Sequence, residues 1–248
     1  MSAETFFTDA YKETSDPPRP EKSQQLRQLL PSLFSSLQLK SVLDCGCGTT
    51  NLHTILQDTP HIQYLGADIV KPLVATLQTT QTTSNCKFQY MDIFQDPPET
   101  ADIWIARDLL NLYPISEHSL FFQQFLKSYS LYLAITSIDT STENSEGSLG
   151  IQRRLNFQAP PYSMPDPLVT LLDGQQWFCT KKLLVFSRSQ IETWFLTFIP
   201  PPSLSTPSDT RLPSSYDTQD RNAHLTTNVR LRDVKLGGHM GLGGLKSL

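Results

Sequence analysis

Two glycines and several carboxylates in the first half of the chain have the types and spacing of a ligand-binding turn. Asp44 ends a short apolar run, and Gly46 and Gly48 follow it at alternate positions. Two further acids, Asp68 and Asp92, each end a later apolar stretch. Glycines let the backbone approach a ligand closely, and a carboxylate attracts a positively charged group. The pattern therefore predicts a site for a ligand that carries a cation.

The glycine turn departs from the fingerprint of a dinucleotide site. That fingerprint, G-x-G-x-x-G, places a pyrophosphate on a helix N-terminus. Here Asn51 occupies the third glycine position, and Asp44 would repel a pyrophosphate. S-adenosyl-L-methionine carries two cations, an ammonium and a sulfonium, and suits this acid better. A nicotinamide oxidoreductase and a strand-to-helix turn without any ligand are the alternatives.

Asp68 has the position of a ribose-binding acid. It follows a predicted strand over 61–68 and lies 24 positions after Asp44 (68 − 44). A strand, helix and strand unit delivers an acid about 20 residues on, at the carboxyl edge of the neighbouring strand, where it can accept both ribose hydroxyls. The alternative is that Asp68 only caps a helix over 71–82.

The elements that must position these residues are those of an open α/β sheet. The turn joins a strand at Val42–Leu43 to a helix that begins at Leu52, with Thr49 or Thr50 as its cap. The periodicity predicts further strands over 61–68, 86–92, 101–106, 131–137 and 182–186, and helices over 26–37, 71–82 and 115–128. We expect a Rossmann-like, open twisted sheet, mostly parallel, with helices on both faces.

The stretch Asp44-Cys45-Gly46-Cys47-Gly48 resembles motif I of the class I S-adenosylmethionine-dependent methyltransferases, with Thr50 in place of the motif's last glycine. The resemblance covers roughly 40–140 and implies the fold of that family and S-adenosyl-L-methionine as cofactor. In this family the position of Asp92 resembles the adenine contact. Together, the spacing and the resemblance assign cofactor contacts to Asp44, Gly46, Cys47, Gly48, Asp68, Ile69, Asp92, Ile93 and Arg107.

A narrower likeness, to a small branch of that family, extends to about residue 187. Its features are Arg107-Asp108 after the fourth strand, Arg154-Leu155-Asn156, and the proline-rich 160–165. It implies no substrate. The segment 159–162 looks like the N-P-P-Y loop of amine and DNA-base methyltransferases, but that loop belongs directly after the fourth strand. We therefore do not infer amide or base methylation from it.

Asp108 and Arg107 are the predicted catalytic residues. Consecutive side chains at a strand end point to opposite sides, so one of the two should face the ligand. Asp108 could act as a general base or position the acceptor. Arg107, Arg153 and Arg154 could hold an anionic group of the substrate bidentately, although a structural ion pair is the alternative for each. A non-catalytic domain that binds a cofactor or partner would have almost the same sequence.

Composition narrows the function classes. The chain has 248 residues and a net charge of −4, which argues against a nucleic-acid surface. Its four cysteines include no C-x-x-C pair, so no metal site is predicted. No secretory signal and no apolar run long enough for a membrane helix occur, which favours the cytoplasm. The expected partner is a small-molecule or protein methyl acceptor.

Proline-rich stretches divide the chain. We predict a lead-in segment over 1–22, with a short helix at about 4–12 and a breaker at 16–20, and a methyltransferase-like domain over 23–199. Pro31 should kink the helix over 26–37 or split it in two. Ser189 is the predicted cap of a late helix. Residues 200–248 are predicted to be a disordered or weakly ordered tail, whose removal should leave stability and cofactor affinity nearly unchanged.

Overall fold

Seven strands form a single sheet in a computed structural model that describes residues 1–13, 24–49, 52–56, 59–139, 143–176 and 179–198. The strands are β1 (Ser41–Cys45), β2 (Gln63–Asp68), β3 (Cys86–Tyr90), β4 (Ile103–Ala106), β5 (Tyr132–Ile138), β6 (Val169–Gln176) and β7 (Cys179–Ser187). The helices are α1 (Ala3–Glu13), α2 (Gln24–Ser36), α3 (Leu52–Ile55), α4 (Lys71–Thr80), α5 (His118–Lys127) and α6 (Arg188–Phe195). Two 3₁₀ turns, Leu110–Leu112 and Ile115–Glu117, lie between β4 and α5.

The strand order is β3-β2-β1-β4-β5-β7-β6, and it confirms the predicted fold class. The first five strands pair in parallel, and β7 runs antiparallel to both β5 and β6. The chain builds outward from β1 to β3 and then returns to place β4 on the other side of β1. This reversal opens a crevice above the carboxyl ends of β1 and β4, where such sheets bind ligands.

Both faces of the sheet are buried, and the central strand β4 shows why. Trp104 and Ala106 belong to one apolar cluster, while Ile103 and Ile105 belong to the other, and all four residues are fully buried. Alternate side chains of a strand point to opposite faces. A strand covered on both sides must therefore be apolar throughout, as this one is.

Three elements differ from the sequence-based expectations. Residues 24–36 form one helix across Pro31 rather than two, with Leu30 and Phe34 buried in the core, and a kink at Pro31 stays a prediction. Ser187, rather than Ser189, caps α6: its hydroxyl accepts from the Gln190 amide, and the Gln190 side chain accepts from the Ser187 amide. The strand β6 was not predicted at all.

The helix predicted near the N-terminus is confirmed as α1. The predicted breaker at 16–20, the candidate cap Thr50 and the predicted tail over 200–248 lie outside the described residues. In the described part of the chain, no helix combines the length and the apolar character needed to cross a membrane. The same residues contain no cluster of His, Cys, Asp and Glu that could hold a metal ion.

Candidate functional site

A cavity of about 380 Å³ opens at the carboxyl ends of the parallel strands, at the topological switch point. Segments that follow β1, β2, β3 and β4 form its floor and walls, and α1 contributes Phe7, Ala10 and Tyr11. Seven of the nine residues predicted to contact a cofactor line it: Gly46, Gly48, Asp68, Ile69, Asp92, Ile93 and Arg107. Asp108, the other predicted catalytic residue, also lines it.

The glycine turn needs its glycines for a backbone reason. Gly46 and Gly48 have φ angles of +68° and +54°, a region that other residues enter at a cost. A Cβ atom at Gly46 would lie 2.7 Å from the Cδ1 atom of Leu109. The amides of Gly46 and Cys47 donate to the Ala67 carbonyl at 2.8 and 3.0 Å, which ties the turn to the end of β2. The turn therefore presents bare backbone to the cavity.

Asp68 is a buried acid held by its own surroundings. It is 8% exposed, and its two carboxylate oxygens accept from the backbone amides of Gly48 at 2.8 Å and Val70 at 2.9 Å. Burial raises the pKa of Asp68, and these amide hydrogen bonds oppose the shift. Backbone amides, including that of Ile69, therefore orient the carboxylate of Asp68, which lines the cavity.

Asp92 is held in the same local way on the neighbouring wall. Its Oδ1 accepts from the Phe94 amide at 3.0 Å, and its Oδ2 accepts from the Gln95 side chain at 2.9 Å. Burial raises the pKa of Asp92. Ile69 and Ile93, each one position after an acid, add apolar surface to the same wall. An acid beside an apolar surface is the combination that can recognise an aromatic ring bearing an amine.

Asp44 and Cys47 lie behind the cavity wall. Asp44 is 2% exposed, and the Tyr64 hydroxyl donates to its Oδ2 at 2.7 Å. Burial raises the pKa of Asp44 to about 7, with the Tyr64 hydrogen bond and the Arg107 charge opposing. Cys47 is also buried, and burial raises the pKa of its thiol well above the ordinary value. Asp44 thus faces Tyr64 and influences the cavity through its charge.

Arg107 lines the cavity but is tied to a distant strand. Its Nε and one terminal nitrogen donate to the two carboxylate oxygens of Asp173, at 2.8 and 2.9 Å. Asp173 lies on β6, and its side chain is fully buried. Burial acts to lower the pKa of Arg107, but the Asp173 hydrogen bond and the charges of the nearby carboxylates together outweigh it and leave that pKa above the ordinary value. The structural ion pair, the alternative weighed for this arginine, is present.

Asp108 is bound to β7, which pairs with β6 in an antiparallel hairpin. The Lys181 ammonium on β7 donates to its Oδ2 and also lies 3.1 Å from Asp173. The Asp108 backbone is in the left-handed region, with φ at +61°, and its amide donates to the Thr136 hydroxyl. Its Oδ1 is buried and has no hydrogen-bond partner within the described part of the chain. We call Arg107, Asp108, Asp173 and Lys181 the hairpin network.

Sequence reasoning missed Asp173 and Lys181. Neither residue belongs to a motif, and β6 lacks the apolar alternation that predicts a strand. The sequence offered one indication that such partners exist, and it came from charge rather than from hydrophobic periodicity. Arg107 and Asp108 lie at the end of a buried strand, where each requires a partner of opposite charge. Nothing in the sequence says which of the remaining charged residues supply them.

A cluster of contacts fixes α1 over the cavity. Glu4 forms an ion pair with Lys71 at 2.8 Å and accepts from the Tyr90 hydroxyl at 3.1 Å. The Lys71 ammonium also lies 4.5 Å from the centre of the Tyr90 ring. Phe7 packs against the ring of Tyr113, with 5.6 Å between the ring centres. The predicted N-terminal helix is therefore part of the cavity wall.

The other two arginines do not line the cavity. The Arg153 guanidinium donates to the backbone carbonyls of Tyr113 and Ser145, and Arg154 donates to the sulfur of Cys179. Tyr162, in the proline-rich segment, is buried, and its hydroxyl bonds His118 Nδ1 at 2.5 Å. Both residues are buried in the core, and neither lines the cavity, although His118 Nε2 bonds the backbone carbonyl of the lining residue Tyr113 at 3.0 Å.

A family of proteins described as "Methyltransferase domain" matches residues 37–156 of the chain. Among solved structures, the chain is similar to magnesium protoporphyrin IX methyltransferase from Synechocystis PCC 6803 with bound S-adenosylmethionine. The identity is 17%, the TM-score is 0.51, and the similarity covers 76% of this chain and 98% of that one. No curated protein sequence matches the chain.

Two further structures are similar at lower scores. Human N-acetylserotonin methyltransferase is 15% identical, with a TM-score of 0.46 and coverage of 75% of this chain and 60% of that one. A methyltransferase from Methanosarcina mazei is 12% identical, with a TM-score of 0.47 and coverage of 63% and 96%. At these identities only the fold is shared. The family match and the fold support S-adenosyl-L-methionine as the cofactor.

Proposed function

Residues 37–156 belong to the class I S-adenosylmethionine-dependent methyltransferase family, and from this premise we propose that the protein binds S-adenosyl-L-methionine in the cavity above β1 and β4 and methylates a small-molecule or protein acceptor. One observation supports this most: a single cavity collects the glycine turn, Asp68, Asp92 and the Arg107-Asp108 pair. These come from four different strand ends, and only the fold brings them together.

The residues present fit this cofactor. Asp68, which lines the cavity and is oriented by backbone amides, would accept the ribose hydroxyls. Asp92, Ile69 and Ile93 would hold the adenine. Arg107 donates to Asp173 through its Nε and one terminal nitrogen, which leaves its other terminal nitrogen for the methionine carboxylate. The carboxylates of Asp108 and Asp44 favour the cationic groups.

Cys47 and Asp44 would act through position and charge rather than contact. Cys47 keeps the turn closed through its amide, and Asp44 lies buried beneath the turn. A buried carboxylate in a low-dielectric interior acts on a nearby cation more strongly than an exposed one does. The acid of the motif is therefore assigned an electrostatic role.

The cofactor, when bound, supplies a methyl group already activated by its sulfonium. The protein's main contribution is then alignment of the two reactants. Asp108 is suited to orient an acceptor, because it lines the cavity and the Lys181 ammonium holds one of its carboxylate oxygens. α1 limits the access of water to the cavity through Phe7 and Tyr11.

Equilibrium binding tests the proposal. Calorimetry of the full chain with S-adenosylhomocysteine should give a micromolar or tighter dissociation constant, and NADPH should not bind. Binding of NADPH in preference to S-adenosylhomocysteine would overturn the proposal in favour of an oxidoreductase. Methyl transfer would then be sought by incubating the protein and labelled cofactor with a metabolite pool and a protein extract.

A second candidate is a non-catalytic domain that binds the cofactor or a partner. The observation that favours it is the ion pair between Asp108 and Lys181, which occupies one oxygen of the predicted base. Cofactor binding without turnover on any acceptor, and without automethylation, would support this candidate.

A further inference from the structure

We propose that Asp173 and Lys181, on the β6–β7 hairpin, are positioning residues that aim Arg107 and Asp108 at the amino-acid end of the cofactor; this inference rests on the proposed function. Neither residue contacts the cavity. Both lie beyond residues 37–156, the segment that matches the family. The hairpin would therefore complete a site whose visible residues belong to the parallel sheet.

The hairpin network contains equal numbers of positive and negative charges. Asp173 accepts two hydrogen bonds from Arg107 and lies 3.1 Å from the Lys181 ammonium. Lys181 in turn bonds Asp108, so two cations and two anions form one chain of contacts. The side chains of Arg107, Lys181 and Asp173 are 12%, 10% and 0% exposed. At such burial each charge depends on its partner for its position.

A bulge in β6 places Asp173 in this network. Leu172 pairs with Lys182 and Gln175 pairs with Thr180, so Asp173 and Gly174 together face the single residue Lys181. Gly174 has a φ of +96°, which a side chain would strain. A bulge of this kind re-aims a side chain relative to a regular strand. Here it brings a buried carboxylate within reach of both Lys181 and Arg107.

The network determines which part of Arg107 is free. The Nε and one terminal nitrogen donate to Asp173, in the parallel two-bond arrangement that fixes a guanidinium plane. Arg107 also lines the cavity, and its remaining terminal nitrogen has no hydrogen-bond partner among the described residues, so it can donate to an anion there. A carboxylate is the anionic group of the cofactor. Without Asp173, Arg107 would lose its fixed plane and its carboxylate partner, and Lys181 would keep only Asp108.

The test compares two ligands that differ only in the amino-acid end. S-adenosylhomocysteine carries the ammonium and carboxylate, whereas methylthioadenosine lacks both. Asp173→Asn should weaken S-adenosylhomocysteine binding about ten- to a hundredfold, the loss for one charge-assisted contact. Methylthioadenosine binding should change by about twofold or less, as for an independent site.

Two further variants make the result specific. The double variant Asp173→Asn/Lys181→Met loses one anion and one cation together, so it can fold even if Asp173→Asn alone does not. It should show the same loss of S-adenosylhomocysteine binding, with methylthioadenosine binding nearly unchanged. Asp139→Asn breaks the exposed ion pair with Lys182, one position along β7, and should leave both ligands bound as in the wild type. Thermal unfolding of each variant verifies the fold.

The outcomes separate the two proposals. An equal loss for both ligands, or no loss for either, in a folded Asp173 variant would overturn the positioning role alone. Wild-type protein that binds neither ligand would overturn the proposed function, and the positioning role with it.

Discussion

The two ends of the cavity hold their charged residues by different means. Asp68 and Asp92 are fixed by amides and a side chain within a few residues, or by the glycine turn beside them. Arg107 and Asp108 are fixed by Asp173 and Lys181, which lie 66 and 73 positions away in the chain. The first end is anchored to local backbone, and the second is anchored to side chains of another part of the fold.

This difference has consequences for mutation. Each locally anchored acid stands alone, so replacing one should cost only its own contacts. The hairpin network shares its charges, and removing one member leaves the others buried and unbalanced. Substitutions in the hairpin network should therefore change stability more than substitutions of the locally anchored acids do, and their effects should be far from additive.

The largest expected effect is on stability, in a double-mutant cycle between Arg107 and Asp173. Asp173→Asn alone should lower the free energy of unfolding by about 3–5 kcal/mol, since it leaves the buried Arg107 guanidinium without its carboxylate partner. Adding Arg107→Met should cost much less than it does in the wild type, with a coupling of about 1–3 kcal/mol. Urea unfolding measures all four states.

The matched cycle between Asp68 and Asp173 should be additive within about 0.5 kcal/mol, because the two residues share no partner. Coupling of similar size in both cycles would show that the two ends are not held independently.

The next effect concerns methyl transfer. Asp108→Asn should keep the fold but lower the rate at saturating cofactor about a hundredfold or more, as expected for loss of a group that positions the acceptor or takes its proton. Initial rates with any identified acceptor measure this, beside Asp139→Asn as the control. Full turnover by the Asn variant would leave Asp108 as a structural residue.

At the locally anchored end, Asp68→Ala should weaken S-adenosylmethionine binding by about 1–3 kcal/mol, the range for a lost charge-assisted partner. Because Gly48 and Val70 lose only a hydrogen-bond acceptor, the melting temperature should fall less than it does for Asp173→Asn. Calorimetry that shows unchanged affinity in a folded variant would reject the ribose assignment.

The smallest expected effect is the pH dependence of the affinity for S-adenosylmethionine. Burial raises the pKa of Asp44 to about 7, and a bound cationic cofactor favours the ionised acid, so binding should lower that pKa. Affinity should then rise between about pH 6 and pH 7 and level off above, by about tenfold if the pKa falls one unit.

The matched variant for this test is Asp44→Asn, which should flatten the profile because it cannot ionise. A profile that keeps its slope in this variant would assign the titration to another group. The same raised pKa acts oppositely on the fold: protonated Asp44 stabilises it at low pH, and this contribution is lost as pH rises towards 7.

Periodicity and turn chemistry determined the parallel sheet in advance. The strand ends at Cys45, Asp68 and Ala106 follow from apolar runs that stop at or near a polar residue or a glycine. The acids at these ends were predicted for the same reason, because both their position and their anchoring are local. A few neighbouring residues carry that information, and a sequence displays it directly.

Tertiary structure alone decided how the Arg107-Asp108 pair is held. The bulge at Asp173 and Gly174 depends on how β6 pairs with β7, and the approach to Arg107 depends on β7 lying beside β5. It also decided that Asp44 lies behind the wall, since Tyr64 on the neighbouring strand covers its carboxylate. Contacts across 66 positions depend on strand order and register, and residue types alone do not encode these distances.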